Sequence, residues 1–470
     1  MRPIVDPGTV KLTILIVVIS CLGVAFAIMN TLTQRDSLVK RFKEHFGKEP
    51  KKLANAIRSF QGIDFPNLHI AIKALVKEKG GSYELIGHAG FGLKYLVQEL
   101  PPPGPKVSLV QQECIDTDTD TSIQCPRNGI YLITIADKKY AVEASFIYEG
   151  SNQVDLIVYS TTPENCARFI EEVREQVNRH SIYRGKVISL SGQESFGDVA
   201  GWLKIQFHKF AEVSREDIVL PEKTMDLIER NIGSFYKHSE KLKAVGKSLK
   251  RGVLFHGKPG TGKTFTAKFF SQYLDGVTVF LLSGEQLWLI KQSFQLARLL
   301  APSLVIMEDV DLIAHTRDET LGQTILHQLL NELDGLNKDT EILFLLTTNR
   351  PEVIEPALAL RPGRVDQAIE FPLPDRECRH RLLEQYARGM DLKLEDMDRI
   401  TRRTEGASPA FIQELMRKSA LIAAETESEN GDRLSINDDH VHEALDELLL
   451  SGPLTKKIVG FHQTDDFLPL

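Results

Sequence analysis

Residues 257–264 read Gly-Lys-Pro-Gly-Thr-Gly-Lys-Thr, and few backbones suit such a run. Three glycines in six positions are costly inside a helix or strand, but they allow a tight loop. The run follows an apolar stretch, 252–256, that predicts a buried strand, and precedes a helix-compatible stretch, 265–274. Strand, glycine loop and helix together make a phosphate-binding loop: glycine N–H groups converge on phosphate oxygens at the positive end of the helix. Gly257, Pro259, Gly260, Thr261, Gly262 and Phe265 then form the loop around a bound nucleotide. Lys263 neutralises the outer phosphates, and the Thr264 hydroxyl is a candidate Mg²⁺ ligand.

Downstream, short apolar runs at 277–282, 304–307 and 342–347 alternate with helix-compatible stretches at 285–300 and 321–333. Apolar runs of this length suit strands covered on both faces, so the alternation predicts a parallel, doubly wound sheet. The run 304–307 ends in Glu308-Asp309-Val310-Asp311. Carboxylates at that strand end, beside a phosphate loop, have a chemical use. Glu308 is the candidate holder of a Mg²⁺-bound water, and Asp309 the candidate that polarises the attacking water.

At 470 residues the chain has room for two or more cored domains. Its net charge of −7 argues against nucleic-acid binding through bulk positive charge. Five scattered cysteines, with no Cys-x-x-Cys, fit a reducing compartment; Cys114 and Cys125 are the nearest pair, and no disulfide is expected between them.

An uncharged run begins at Leu12 and ends at Met29. As a helix it would extend about 27 Å, close to one hydrocarbon core. It is long for a cleaved signal, although Ala25-Phe26-Ala27 resembles a cleavage site, and it is apolar all round, unlike an ordinary core helix. A single-pass anchor is the expectation. Arg2 and Lys11 precede it, whereas Arg35, Lys40, Arg41, Lys43 and Lys48 follow, which places the remainder on the cytoplasmic or matrix side.

Between anchor and phosphate loop, a helix is predicted at 65–78, strands at 129–137, 139–148 and 154–159 with a hairpin turn at Asp137-Lys138, a helix at 163–177 and a strand at 185–190. The run 101–105, Pro-Pro-Pro-Gly-Pro, is a stiff break, and the glycine-rich 87–92 reads as a turn. None of this carries a chemical motif.

The segment 217–450 resembles the AAA family of ring-forming ATPases. Leu333-Asp334-Gly335 resembles its helix-ending element. Thr348-Asn349-Arg350-Pro351 resembles its Thr-Asn-Arg-Pro element, and Glu355-Pro356-Ala357-Leu358 with Arg361-Pro362-Gly363-Arg364-Val365-Asp366 resembles its second region of homology. The resemblance implies that Asn349 senses the γ-phosphate, that Arg361 and Arg364 are arginine fingers entering a neighbour's site, and that Ile218 lines the adenine pocket. It also implies ATP and Mg²⁺ as ligands, a homo-oligomeric ring (hexamer or heptamer) and a protein substrate.

Two departures stand out. The acidic pair runs Glu-Asp where most of the family has Asp-Glu, and only 23 residues separate Gly284 from Glu308, with no aromatic–hydrophobic–glycine pore triplet. The mitochondrial Rieske-protein translocases resemble this chain in both respects. Gly406-Ala407-Ser408 occupies the family's Gly-Ala-Asp position, so no lid arginine sensor is expected, and the absence of His-Glu-x-x-His speaks against a fused zinc protease.

The expected organisation is therefore α/β: a transmembrane anchor (1–34), a mixed α/β N-domain (35–212), a phosphate-loop parallel-sheet ATPase subdomain (213–375), a helical lid (376–450) and a tail (451–470). The expected function is a membrane-anchored, ring-forming ATPase that remodels or translocates proteins. Alternatives are a Rieske-type folded-protein translocase or assembly chaperone, and a slow nucleotide-gated scaffold.

Overall fold

The computed structural model describes residues 37–450 except 90–91, 97–105, 148–150, 193–202, 316–318, 336–339, 354–364 and 427–433. The expected anchor at 12–29 lies outside these, as does the tail. No helix among the described residues is long and apolar enough to cross a membrane. The chain divides into two compact units. The first runs to Ile182 and includes Gly192–Lys204; the second comprises Tyr183–Ser191 and the chain from Ile205 onward.

The first unit is built on an antiparallel sheet of β1 (Ala54–Gln61), β2 (Ser82–Ala89), β3 (Lys106–Ser108), β6 (Gly129–Ile135), β7 (Lys138–Phe146) and β8 (Gln153–Ser160), in the order β1-β8-β7-β6-β2-β3. Between β3 and β6, β4 (Gln112–Asp116) and β5 (Ser122–Pro126) form a separate hairpin. Helices Phe65–Glu78 and Pro163–His180 bury Leu68, Ile72, Phe169 and Val173 together with Tyr131 and Val142 of the sheet. Leu38 and Phe42 of helix Leu38–Phe46 belong to a second core, with Ile130 and Ile157. Helices cover both faces, so β8 is buried along nearly its whole length and reads as a continuous apolar run rather than an alternating one. The β6–β7 register pairs Ile135 with Lys138, which moves the turn one residue earlier than expected, to Ala136-Asp137. Ala136 takes φ 52°, the positive value that a two-residue hairpin turn demands. The described cysteines are free, and Cys114 and Cys125 occupy adjacent, non-opposed positions of the β4–β5 ladder.

In the second unit the sheet order is β10-β9-β12-β13-β14-β11-β15, from β9 (Val187–Ser191), β10 (Lys204–Phe207), β11 (Arg251–His256), β12 (Thr278–Leu282), β13 (Ser303–Met307), β14 (Ile342–Thr348) and β15 (Gln367–Glu370). The ladders from β9 through to β15 are parallel. β13 and β14 are buried at every position, as the apolar runs 304–307 and 342–346 within them require. Phe255 of β11 meets Phe371 at 4.7 Å between ring centres, and truncating either ring would cost about 3–5 kcal/mol.

The strand expected at 185–190 does form, but as β9 it pairs with β12 (Val187 opposite Val279) and so extends this sheet. The helix expected from 285 starts later, at Ile290. Before it, Gly284–Leu289 is a 3₁₀ turn, because Gln286 bonds back to Ser283 through both backbone and side chain. The lid packs helices Arg376–Tyr386, Met397–Arg403, Pro409–Thr426 and Asp438–Leu450 around Leu383, Phe411, Leu415 and Leu445. A short parallel pair, Asp391–Lys393 with Ser435–Asn437, braces it.

Candidate active site

β11 ends at His256, and helix Lys263–Tyr273 begins after six intervening residues. The loop between them needs its glycines. Gly257 has φ 148°, and a Cβ there would lie 2.4 Å from the Phe371 carbonyl oxygen. Gly260 has φ 74°, and a Cβ there would lie 2.9 Å from Cβ of Ala410 at the start of lid helix Pro409–Thr426. The lid also reaches the loop directly, where Ala410 N–H donates to the Gly260 carbonyl at 3.2 Å.

Lys263 is only 6% exposed, and its Nζ donates to the carbonyls of Gly257 and Lys258, both at 2.9 Å. Burial lowers its pKa to about 8, against the opposing pull of Asp309 and Asp311. The ammonium is thus held where it has little water and strong reason to take an anion.

A cavity of about 480 Å³ opens over this loop. Residues 259–265 line it together with Ile218, Asp309 and Asn349, which brings most of the sequence-derived candidates to one wall. Gly257 does not line the cavity. Asp309 carries φ 51°, an uncommon value for a non-glycine residue and one that often marks a functional site. Its N–H donates to Thr347 Oγ1 at 3.0 Å, and its Oδ1 accepts from Asn349 Nδ2 at 2.9 Å.

Glu308 is placed differently. Its N–H donates to the Leu282 carbonyl, its side chain does not line the cavity, and burial pushes its carboxyl pKa up while Lys268 opposes the shift. Arg361 and Arg364 lie outside the described residues.

One residue escaped the sequence reading. Asp311, 6% exposed, accepts through Oδ1 from Thr348 Oγ1 at 2.8 Å and from Asn349 N–H at 3.1 Å. It ties the end of β14 to the turn after β13 and so fixes the backbone from which Asn349 reaches Asp309. The signal was a second aspartate two positions after Asp309, in a segment where strand periodicity no longer applies.

The remaining wall is set by Asp217. Its Oδ2 accepts from Ser214 N–H and Oγ, both at 2.9 Å, and its Oδ1 from Arg388 Nη1 at 2.6 Å. The Ser214 N–H, with help from Arg388, holds this carboxyl below the usual range. Its main-chain carbonyl accepts from Gln385 Nε2 at 2.9 Å. Ile218, 3% exposed, follows directly and lines the cavity.

The hard hydroxyl oxygen of Thr264, a residue of the cavity wall, fits Mg²⁺, which takes few protein ligands and completes its shell with water and phosphate.

A parallel sheet with a glycine loop, buried lysine and strand-end carboxylates defines a phosphate-loop nucleotide-binding fold. Residues 253–373 match the family described as ATPase family associated with various cellular activities (AAA). The chain is 32% identical to the proteasome-activating nucleotidase of Methanopyrus kandleri, over 54% of this chain and 64% of that protein. Against the nucleotidase of the same description from Thermococcus onnurineus it is 30% identical, over 55% of this chain and 70% of that protein. It is 32% identical to the ATP-dependent zinc metalloprotease FtsH of Nitrosococcus oceani, over 50% of this chain but only 39% of that protein. The chain belongs to the AAA family of ATPases, whose members use ATP with Mg²⁺. It spans less than two thirds of the Methanopyrus relative and about two fifths of the Nitrosococcus one.

Proposed function

We propose that this protein is a membrane-anchored AAA ATPase that works as a homo-oligomeric ring and couples ATP hydrolysis to remodelling or moving a protein substrate. The observation that carries the hydrolytic part is the Asn349–Asp309 contact on the cavity wall that also holds Lys263. It sets a carboxylate and a fixed amide beside the place where the outer phosphates would lie.

In this reading Lys263 gives up its carbonyl partners and pairs with phosphate. Thr264 holds Mg²⁺, with Glu308 expected to bind through a water. When bound, the metal offsets phosphate charge. Asp309 orients the attacking water, and Asn349 fixes its carboxylate. Arg361 and Arg364 of an adjacent subunit would supply the guanidinium charge that stabilises the transition state. The run 12–29 supplies the anchor, with residues 35–212 as the N-domain on the cytoplasmic or matrix side.

A second reading, folded-protein translocation of the Rieske-translocase type, is favoured by one observation. The segment after β12, where a threading loop would project, is instead the compact 3₁₀ turn Gly284–Leu289 tied to Ser283. A slow, nucleotide-gated scaffold is the alternative if the Glu308-Asp309 order impairs turnover.

The test is ATPase turnover of the purified protein, followed by crosslinking of an ATP-trapped form in its membrane and identification of what is bound. Absence of turnover in an assembled protein would leave only the scaffold. Capture of a folded protein would favour translocation, and capture of unfolded chains would favour threading.

A further inference from the structure

The base-reading end of the cavity contains a side chain that neither the motif nor the family match assigns. Gln385 lies in the last turn of lid helix Arg376–Tyr386 and lines the cavity. Its Nε2 donates to the main-chain carbonyl of Asp217 at 2.9 Å. A carbonyl can only accept, so the amide must turn its NH₂ group toward Asp217. Its carbonyl oxygen is then fixed as a hydrogen-bond acceptor.

Three neighbouring polar groups are engaged elsewhere or undirected. Ile218 N–H donates to the Arg215 carbonyl at 3.2 Å. The Asp217 carboxylate is engaged by Ser214 and Arg388. The Tyr386 hydroxyl can donate or accept, so it favours neither purine.

We infer that Gln385 is a specificity-determining residue that accepts a hydrogen bond from the six-amino group of adenine through its side-chain carbonyl. Guanine carries a carbonyl oxygen at that position and would face acceptor with acceptor. The residue therefore selects for ATP by rejecting GTP as well as by binding adenine. The inference rests on the reading of this cavity as the nucleotide site.

The test measures equilibrium dissociation constants of the full-length protein for ATP, for GTP and for purine riboside triphosphate, which lacks the six-amino group. The wild type should bind ATP about ten-fold more tightly than purine riboside triphosphate, the size of one hydrogen bond to a group otherwise left unpaired, and should bind GTP more weakly still. Gln385→Met keeps the length and loses the acceptor. It should abolish the preference for ATP over purine riboside triphosphate while leaving affinity for the latter within about two-fold. Glu384→Gln, the preceding position of the same helix, exposed and off the cavity wall, should retain the preference. An unchanged preference in Gln385→Met overturns the inference, as does its loss in Glu384→Gln, which would mark a general disturbance of the helix end. If the wild type binds none of the three, the nucleotide-site reading itself falls. If it binds all three equally, that reading stands and only the role of Gln385 falls.

Discussion

Asn349 Nδ2 donates to Asp309 Oδ1 at 2.9 Å, across the gap between the ends of β14 and β13. The two strands are neighbours in the parallel sheet, so the contact needs no loop rearrangement. It gives the Asp309 carboxylate a fixed direction, and through it the two acids of the Glu308-Asp309 pair can be told apart.

Asp309→Asn should leave ATP binding within a few-fold and reduce turnover by at least about 100-fold, because an amide cannot take up the water's proton. Glu308→Gln, off the cavity wall, should act mainly through Mg²⁺ dependence. Single-turnover assays at varied Mg²⁺ separate the two. Loss of chemistry in Glu308→Gln with retention in Asp309→Asn would reverse the assignment.

Asp311→Ala should lower kcat with little change in KM. The substitution leaves the Thr348 hydroxyl and the Asn349 N–H without their buried acceptor, at a cost of about 1–3 kcal/mol, and frees Asn349 from Asp309. Asp311→Asn keeps an acceptor oxygen and should recover part of the loss. Steady-state kinetics of the two variants, with a thermal melt to confirm folding, provide the check.

The Lys263 pKa, lowered by burial to about 8, makes ATP binding proton-linked. Phosphate charge favours the ammonium, so binding should take up little proton at pH 6.5 and approach one proton by pH 9, with affinity falling over the same range. The sign for stability is separate. The unfolded lysine keeps its proton up to about 10.5 while the folded one loses it near 8, so this group's contribution to the nucleotide-free fold rises as pH climbs through that window. Calorimetry in buffers of different ionisation enthalpy should show the uptake, and Lys263→Met should lack it.

If the fingers act in trans, Arg364→Ala should bind ATP normally and hydrolyse it about 10³-fold more slowly or worse. Mixed with Lys263→Ala it should recover part of the activity, because some interfaces then pair an intact loop with an intact finger. Concentration-independent turnover by a monomer would count against the ring.

If the run 12–29 anchors the protein, removing residues 1–34 should release it from membranes while leaving its ATPase. Carbonate-resistant association of the shortened protein would show that the run 12–29 is not its sole anchor.

What the sequence made legible follows from local physics. The phosphate loop was readable because its glycines occupy conformations that other residues avoid, and β13 and β14 because total burial leaves the apolar runs 304–307 and 342–346. The role of Asn349 rests on resemblance alone, and its contact with Asp309, 40 positions away, was not legible, since no periodicity encodes a contact across a sheet. Asp311 was missed because it acts from a 3₁₀ turn. The partner of β9 was not legible at all: a five-residue apolar strand shows that it is buried but not in which sheet.

That placement of β9 has a practical side. Severing the chain just ahead of residue 213 would remove both β9 and β10 and leave β12 as the sheet's outermost strand. Its amides and carbonyls would lose the ladder along Val279–Leu281, and the apolar surface beneath Ile188 and Leu190 would be laid open to water. A bare, flat, apolar strand recruits other strands. An ATPase fragment cut by its motifs alone should precipitate, whereas one that begins at Tyr183 should stay in solution.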